Sequence, residues 1–110
     1  MTDERPEWRE DHFGYELHRA VAARLPERGE EARRIGLRNL ARQRQRPGSK
    51  FREGWLDEWA RLLEGTDQEL AAGMLQLGGR GNDLRQMTPL AGVPTQAERL
   101  AALERARQEG

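Results

Sequence analysis

Residues Phe51–Leu63 read F-R-E-G-W-L-D-E-W-A-R-L-L. Phe51, Trp55, Trp59, Leu62 and Leu63 fall at i, i+4, i+8, i+11 and i+12, the spacing that lines one stripe of an α-helix. Two of the chain's three tryptophans lie in this stripe. With only 5% aromatic residues overall, few other stretches are able to anchor a core. Core packing is therefore the first reading of Trp55 and Trp59, ahead of a binding anchor.

Downstream, Gly65 stands where a glycine commonly ends a helix. Thr66-Asp67-Gln68-Glu69 then forms a capping box, in which the Thr66 hydroxyl accepts from the Glu69 N–H and the Glu69 carboxylate reaches back to the Thr66 N–H. The helix it starts carries Leu70, Met74, Leu75 and Leu77 and is expected to end at Gly78-Gly79. Residues 78 to 94 concentrate glycine and proline. A short helical turn is expected at Asn82 to Met87, followed by an ordered loop, Leu90-Ala91-Gly92-Val93, held between Pro89 and Pro94 against the core. Gly78-Gly79-Arg80-Gly81-Asn82-Asp83 has no preceding strand and no G-K-[ST], so it reads as a connection and not as a phosphate loop. A second capping box, Thr95-Gln96-Ala97-Glu98, opens a last helix from Ala97 to about Arg107 with Leu100 and Leu103 on its face; residues 108–110 are expected to fray.

Upstream, Pro47-Gly48-Ser49 is a turn, with Ser49 placed to cap the tryptophan helix. Before it, Glu30 to Arg46 reads as a helix with Ala32, Ile35, Leu37, Leu40 and Ala41 apolar; Gly36 weakens its middle by about 1 kcal/mol relative to Ala. A further helix runs from about Asp11 to Leu25, with Phe13, Leu17, Val21 and Leu25 on one face, and Pro26 stops it. Residues 1–10 read as a flexible segment in which the place of Trp8 stays open. With two valines, one isoleucine and no alternating run, no strand is predicted. The expected fold is all-α: a compact bundle of about five helices in a single domain over residues 11–107. The expected core is Phe13, Leu17, Val21, Leu40, Trp55, Trp59, Leu62, Leu63, Leu70 and Met74.

The totals bound function loosely. The chain has 110 residues, 35% of them hydrophobic, and a mean hydropathy of −0.99. Such a domain buries a small core, which association with a partner or a second copy would enlarge. There is no cysteine, hence no disulfide, thiolate nucleophile or cysteine zinc site. The N-terminus lacks the apolar region of a secretory signal, and no apolar run approaches the roughly 20 residues of a membrane span. A soluble cytoplasmic protein is expected.

Charge is balanced overall, 19 basic against 19 acidic, but not locally. Arg33, Arg34, Arg38, Arg42, Arg44, Arg46, Lys50 and Arg52 form a window of +8 with no acidic residue. Such a surface neutralises phosphates or meets an acidic protein; the plain alternative is a solvated helix face. The window has no interleaved aromatics for single-strand binding, and no helix-turn-helix pattern. The two histidines, His12 and His18, are six apart and do not form a metal-binding spacing. Carboxylates such as Asp57 and Glu58 fall on expected exposed faces, and Ser49, the single serine, sits in no nucleophile elbow. No catalytic residue, metal or cofactor is expected.

The block Leu84-Arg85-Gln86-Met87-Thr88-Pro89-Leu90-Ala91-Gly92-Val93 is similar to an L-R-Q-[ST]-x-P-[FL]-A-G-V motif of small all-helical bacterial proteins. In them the motif follows a W-x-x-L-L-x-G segment and precedes a helix containing E-R; Trp59-Ala60-Arg61-Leu62-Leu63-Glu64-Gly65 and Glu98-Arg99 hold those places here. Leu17-His18-Arg19 and Asn39-Leu40-Ala41-Arg42 fit the earlier helices, so the resemblance spans about His18 to Arg99. The chain departs from the pattern at Leu90, where an aromatic is usual, and in the glycine-rich Gly78 to Gly81. Some of these proteins resemble antitoxins of toxin–antitoxin pairs. That implies a non-enzymatic module whose partner is another protein, a toxin from an adjacent gene, neutralised by occlusion. The alternative is a transcriptional regulator that binds nucleic acid. In either case the residues expected to bind are Arg34, Arg38, Arg42, Arg44, Arg46, Lys50, Arg85 and Gln86. For Arg85 two roles stand open: holding neighbouring carbonyls, or reaching a partner carboxylate.

Overall fold

Helical periodicity governs the whole chain, and the computed structural model contains helices and no strands among the residues it describes, 9–48 and 50–109. They are α1 (Arg9–Arg44), α2 (Lys50–Glu64), α3 (Asp67–Met74), α4 (Gly78–Gln86) and α5 (Gln96–Glu109). The fold is the expected all-α bundle of about five helices. The flexible segment expected over residues 1–10 falls mostly outside the described residues, as do Trp8, the Ser49 cap and Gly110. Within that range the backbone is already helical at Arg9, and at the other end α5 continues to Glu109 without fraying at Gln108.

The two helices expected before the turn are both present within α1, joined across a break at Arg28, whose φ of −131° and ψ of 29° are non-helical. Pro26, which lacks a backbone N–H to donate, lies two residues before this break. The break thus falls where the sequence placed it, between Pro26 and Glu30, and the helix resumes beyond it. α1 is the central element, and α2, α3, α4 and α5 all pack against it.

The core is one cluster: Val21, Leu25, Ala32 and Leu40 from α1, Leu56, Trp59, Leu62 and Leu63 from α2, Leu70 and Met74 from α3, Leu84 from α4, and Leu90 from the loop that follows; Leu17 is buried outside it. Two expected core residues, and Phe51 at the head of the expected stripe, sit off-centre. Phe51 is 70% exposed, and Trp55 and Phe13 are half-buried. A row of every fourth residue turns by about 40° per step around a helix, so Phe51 lies about 80° from Trp59. The buried face of α2 follows Leu56, Trp59 and Leu63 instead. On α5 the same effect leaves Leu100 exposed and Leu103 half-buried, while Ala102 and Ala106 face inward.

Glycine has two uses here that local propensity does not reveal. A Cβ on Gly36 would stand 2.9 Å from a Leu90 methyl and 3.0 Å from a Leu63 methyl, so this position lets α2 and the later loop close on α1. The glycine-rich stretch at 78–81 is helical, not a loop. α3 ends earlier than expected, at Met74, and Gly78 starts α4 with φ +88°, a conformation open to glycine. Gly81 then passes so close to the Gln76 carbonyl that no side chain fits.

Both capping boxes form. Thr66 Oγ1 accepts from the Glu69 N–H at 3.0 Å and Glu69 accepts from the Thr66 N–H at 3.0 Å. Thr95 and Glu98 make the same pair of bonds at 3.1 and 2.8 Å. No helix among the described residues is long and apolar enough to cross a membrane.

Candidate interaction surface

The arginines of the +8 window divide into two groups, and the partners of each decide which. Arg33 donates to the Leu63 carbonyl at 3.1 Å, the Gly65 carbonyl at 2.9 Å and Asp67 at 2.7 Å, closing the end of α2 and the start of α3. A cation is favoured at a helix C-terminus, where carbonyls lack intrahelical donors. Arg52 donates to the Arg46 carbonyl at 3.1 Å and the Gln43 carbonyl at 2.5 Å, closing the end of α1. Arg44 pairs with Asp57 at 2.8 Å. Arg33 and Arg52 thus tie helix ends, while Arg44 is taken up by an exposed surface pair.

Arg34, Arg38, Arg42, Arg46 and Lys50 are exposed, and among the described residues none of them pairs with a carboxylate. Arg34, Arg38 and Arg42 follow one another every four residues, so their Cα atoms rise about 6 Å per step along one side of α1. Arg46 continues the row just past the helix end. Lys50 stands apart at the start of α2, beside Phe51, Trp55 and Arg80.

Arg85 belongs to neither the row nor the surface. It is 4% exposed, and its Nη1 donates to the Met74 carbonyl at 3.0 Å and the Gln76 carbonyl at 2.7 Å. Its guanidinium also lies 5.3 Å from the centre of the Tyr15 ring. Of the two roles open to it, the geometry carries the first: Arg85 caps α3 from α4, and its burial corrects its assignment to the binding surface. Gln86, the next residue, is exposed at the end of α4.

The segment after Arg85 is held from every side. The Trp59 indole N–H donates to the Leu84 carbonyl at 2.8 Å. His18 Nδ1 meets the Gly14 carbonyl at 2.7 Å, and a carbonyl only accepts, so Nδ1 carries a proton. Its Nε2 lies 2.8 Å from Thr88 Oγ1, which also accepts the Leu90 N–H at 3.0 Å. The Thr88 and Pro89 carbonyls accept from Gln43 Nε2 at 3.4 Å and Asn39 Nδ2 at 2.9 Å, and the Ala91 carbonyl accepts from Arg99 at 2.7 Å. Sequence reasoning missed His18 and Asn39 as clamps, because their partners are 70 and 50 residues away.

Clamping this segment against α1 opens a cleft of ≈ 210 Å³ between them. Arg42, Gln43 and Arg46 form one wall, and Thr88, Pro89 and Gly92 the other. The free arginine row thus runs into a cleft built by the Leu84–Val93 motif. A separate notch of ≈ 330 Å³ lies on α2, where Phe51 and Trp55 meet edge to face at 5.9 Å between ring centres and Arg80 stands 5.1 Å above the Trp55 ring.

Carboxylates serve the fold. Glu98 takes Arg24 at 2.6 Å while capping α5, and the Arg24 bonds, followed by the Thr95 N–H, hold its carboxyl at about 2. The Arg61 guanidinium lowers Glu58, and the Thr66 N–H lowers Glu69. Among the described residues no group of three or more histidine or acidic side chains is placed to hold a metal. No family model matches the chain, and neither a curated protein nor a solved structure matches it.

Proposed function

We propose that this chain is a non-enzymatic, cytoplasmic protein-binding module of the antitoxin kind, which covers an acidic surface of a partner protein encoded beside it. The observation that carries this reading is the sorting of the arginines. Within one window, Arg33, Arg44 and Arg52 have partners inside the chain, whereas Arg34, Arg38, Arg42 and Arg46 form an exposed row with no carboxylate partner among the described residues. A row that pairs with no carboxylate among the described residues, and is not interrupted by acidic residues, is suited to meet negative charge from outside. Leu37, an apolar residue of α1 that is 41% exposed, would add buried area to such a contact.

The test is co-expression with the product of the adjacent gene, followed by affinity purification of the chain. A stoichiometric complex is expected. Recovery of the chain without that product would contradict the reading.

A nucleic-acid-binding regulator is the second reading, favoured by the same continuous row, because a backbone of phosphates is met by cations at regular spacing. It predicts affinity for duplex DNA that falls steeply and log-linearly with salt. The exposed Phe51 and the half-buried Trp55 lie on α2 and not on α1 with the row, so base stacking has no platform beside these arginines.

A further inference from the structure

The cleft at the end of the arginine row has features that the row alone does not explain. Its volume of ≈ 210 Å³ corresponds to about seven waters, below the size of a drug-like ligand site. It has room for one side chain and the backbone that carries it. One wall is cationic, from Arg42 and Arg46, which have no carboxylate among the described residues. The other wall is neutral and small, and its shape is set in advance by the bonds from His18, Asn39, Gln43 and Arg99. A wall built before binding lowers the ordering cost of filling the cleft.

Gly92 sharpens the point. It has no positive φ, and a Cβ built on it would meet nothing within 4 Å. Neither backbone conformation nor packing calls for glycine there, in contrast to Gly78 and Gly81. It lines the same cleft as Arg42 and Arg46, where a side chain at this position has open space to occupy.

We propose that this cleft is a carboxylate-binding subsite that takes an acidic side chain of a partner protein segment, with Arg38 and Arg34 meeting further carboxylates along that segment. The proposal rests on the protein-binding reading above and names the chemistry of the partner. Two guanidinium groups at one site present the paired donors that grip a carboxylate bidentately. A single recessed cleft at one end of a row suits a side chain that inserts. A duplex backbone, convex and continuous, engages the row without entering.

The probe is a fluorescein-labelled hexaglutamate peptide, followed by anisotropy at low salt, with unlabelled hexalysine, inorganic phosphate and duplex DNA as competitors. Wild type is compared with Gly92→Leu, with Arg42→Gln/Arg46→Gln, and with Gly54→Leu in the distant aromatic notch. Hexaglutamate is expected to bind wild type and Gly54→Leu alike. Gly92→Leu and the double variant are each expected to lose about tenfold in affinity, with melting temperatures unchanged. If Gly92→Leu melts early, the double variant decides, because both of its sites are exposed. Absence of hexaglutamate binding to wild type would overturn the proposal, as would full binding by both cleft variants. Competition by DNA or phosphate at lower concentration than by unlabelled hexaglutamate would overturn it in favour of a phosphate site. A complex with the adjacent gene product that survives in both cleft variants would remove the cleft but leave the protein-binding reading standing. Peptide binding without any such complex would do the reverse.

Discussion

Arg85 and Arg42 are the same residue type within one small molecule, and their surroundings give them opposite work. Arg85 lies inside, between α3 and α4, with two backbone carbonyls and an aromatic ring around its guanidinium. Arg42 stands in solvent at the rim of a cleft with no carboxylate partner among the described residues. A buried cation is retained where carbonyls at a helix end need donors, and removing it strands those carbonyls. An exposed cation contributes little to stability. Charge in the sequence therefore does not distinguish scaffold from surface; the distribution of acceptors does.

This contrast can be broken from its buried side first. Trp59 is fully buried and its indole holds the Leu84 carbonyl that begins the motif. Trp59→Ala is expected to cost about 3–5 kcal/mol, enough to unfold much of the population of a small domain, and urea denaturation measures it. Arg85→Ala removes two charged hydrogen bonds to the end of α3 and is expected to cost about 2–3 kcal/mol. Equal stability of Arg85→Ala and wild type in urea would mean that Arg85 does not hold the interior together.

How far the sequence revealed these roles differs between the two regions. The helices, both capping boxes and the core residues Leu17, Val21, Leu40, Trp59, Leu62, Leu63, Leu70 and Met74 follow from local spacing, and local spacing is what a single sequence displays. The basic window was equally visible. Its division was not, because Arg33 finds its acceptors 30 or more residues away and Arg85 finds its own across a chain reversal. Leu56 was legible in principle, three residues before Trp59, but the row through Phe51 and Trp55 drew the face about one residue off. Gly36 appeared as a helix weakener because its reason, contact with Leu63 and Leu90, exists only in three dimensions.

A smaller effect probes the tie between α1 and α5. Glu98 has a folded value of about 2, depressed from an ordinary 4.5 by Arg24 and the Thr95 N–H. A depressed carboxylate contributes stability that is present above its unfolded value and lost as pH falls through the folded one. Stability is thus expected to decline between pH about 4.5 and about 2 in wild type. In Glu98→Gln that part of the decline should be missing, as thermal melts across the window will show. A decline of the same size in the variant would remove Glu98 from the account.

The smallest effect on stability is expected where the proposed function lies. Arg34→Gln and Arg38→Gln, singly or together, should stay within about 0.5 kcal/mol of wild type, as read by thermal denaturation. A larger loss would mean that the row serves the fold after all, and would sharpen the comparison against the present account.

The central claim is that the exposed row binds a protein. Its most direct test is size-exclusion chromatography with light scattering on the chain co-expressed with its adjacent gene product, for wild type and for Arg38→Glu/Arg42→Glu/Arg46→Glu. The account predicts a stoichiometric complex for wild type and separate elution for the triple variant, with the variant still folded. A wild-type chain that elutes without its neighbour, or a triple variant that keeps the complex intact, would contradict it.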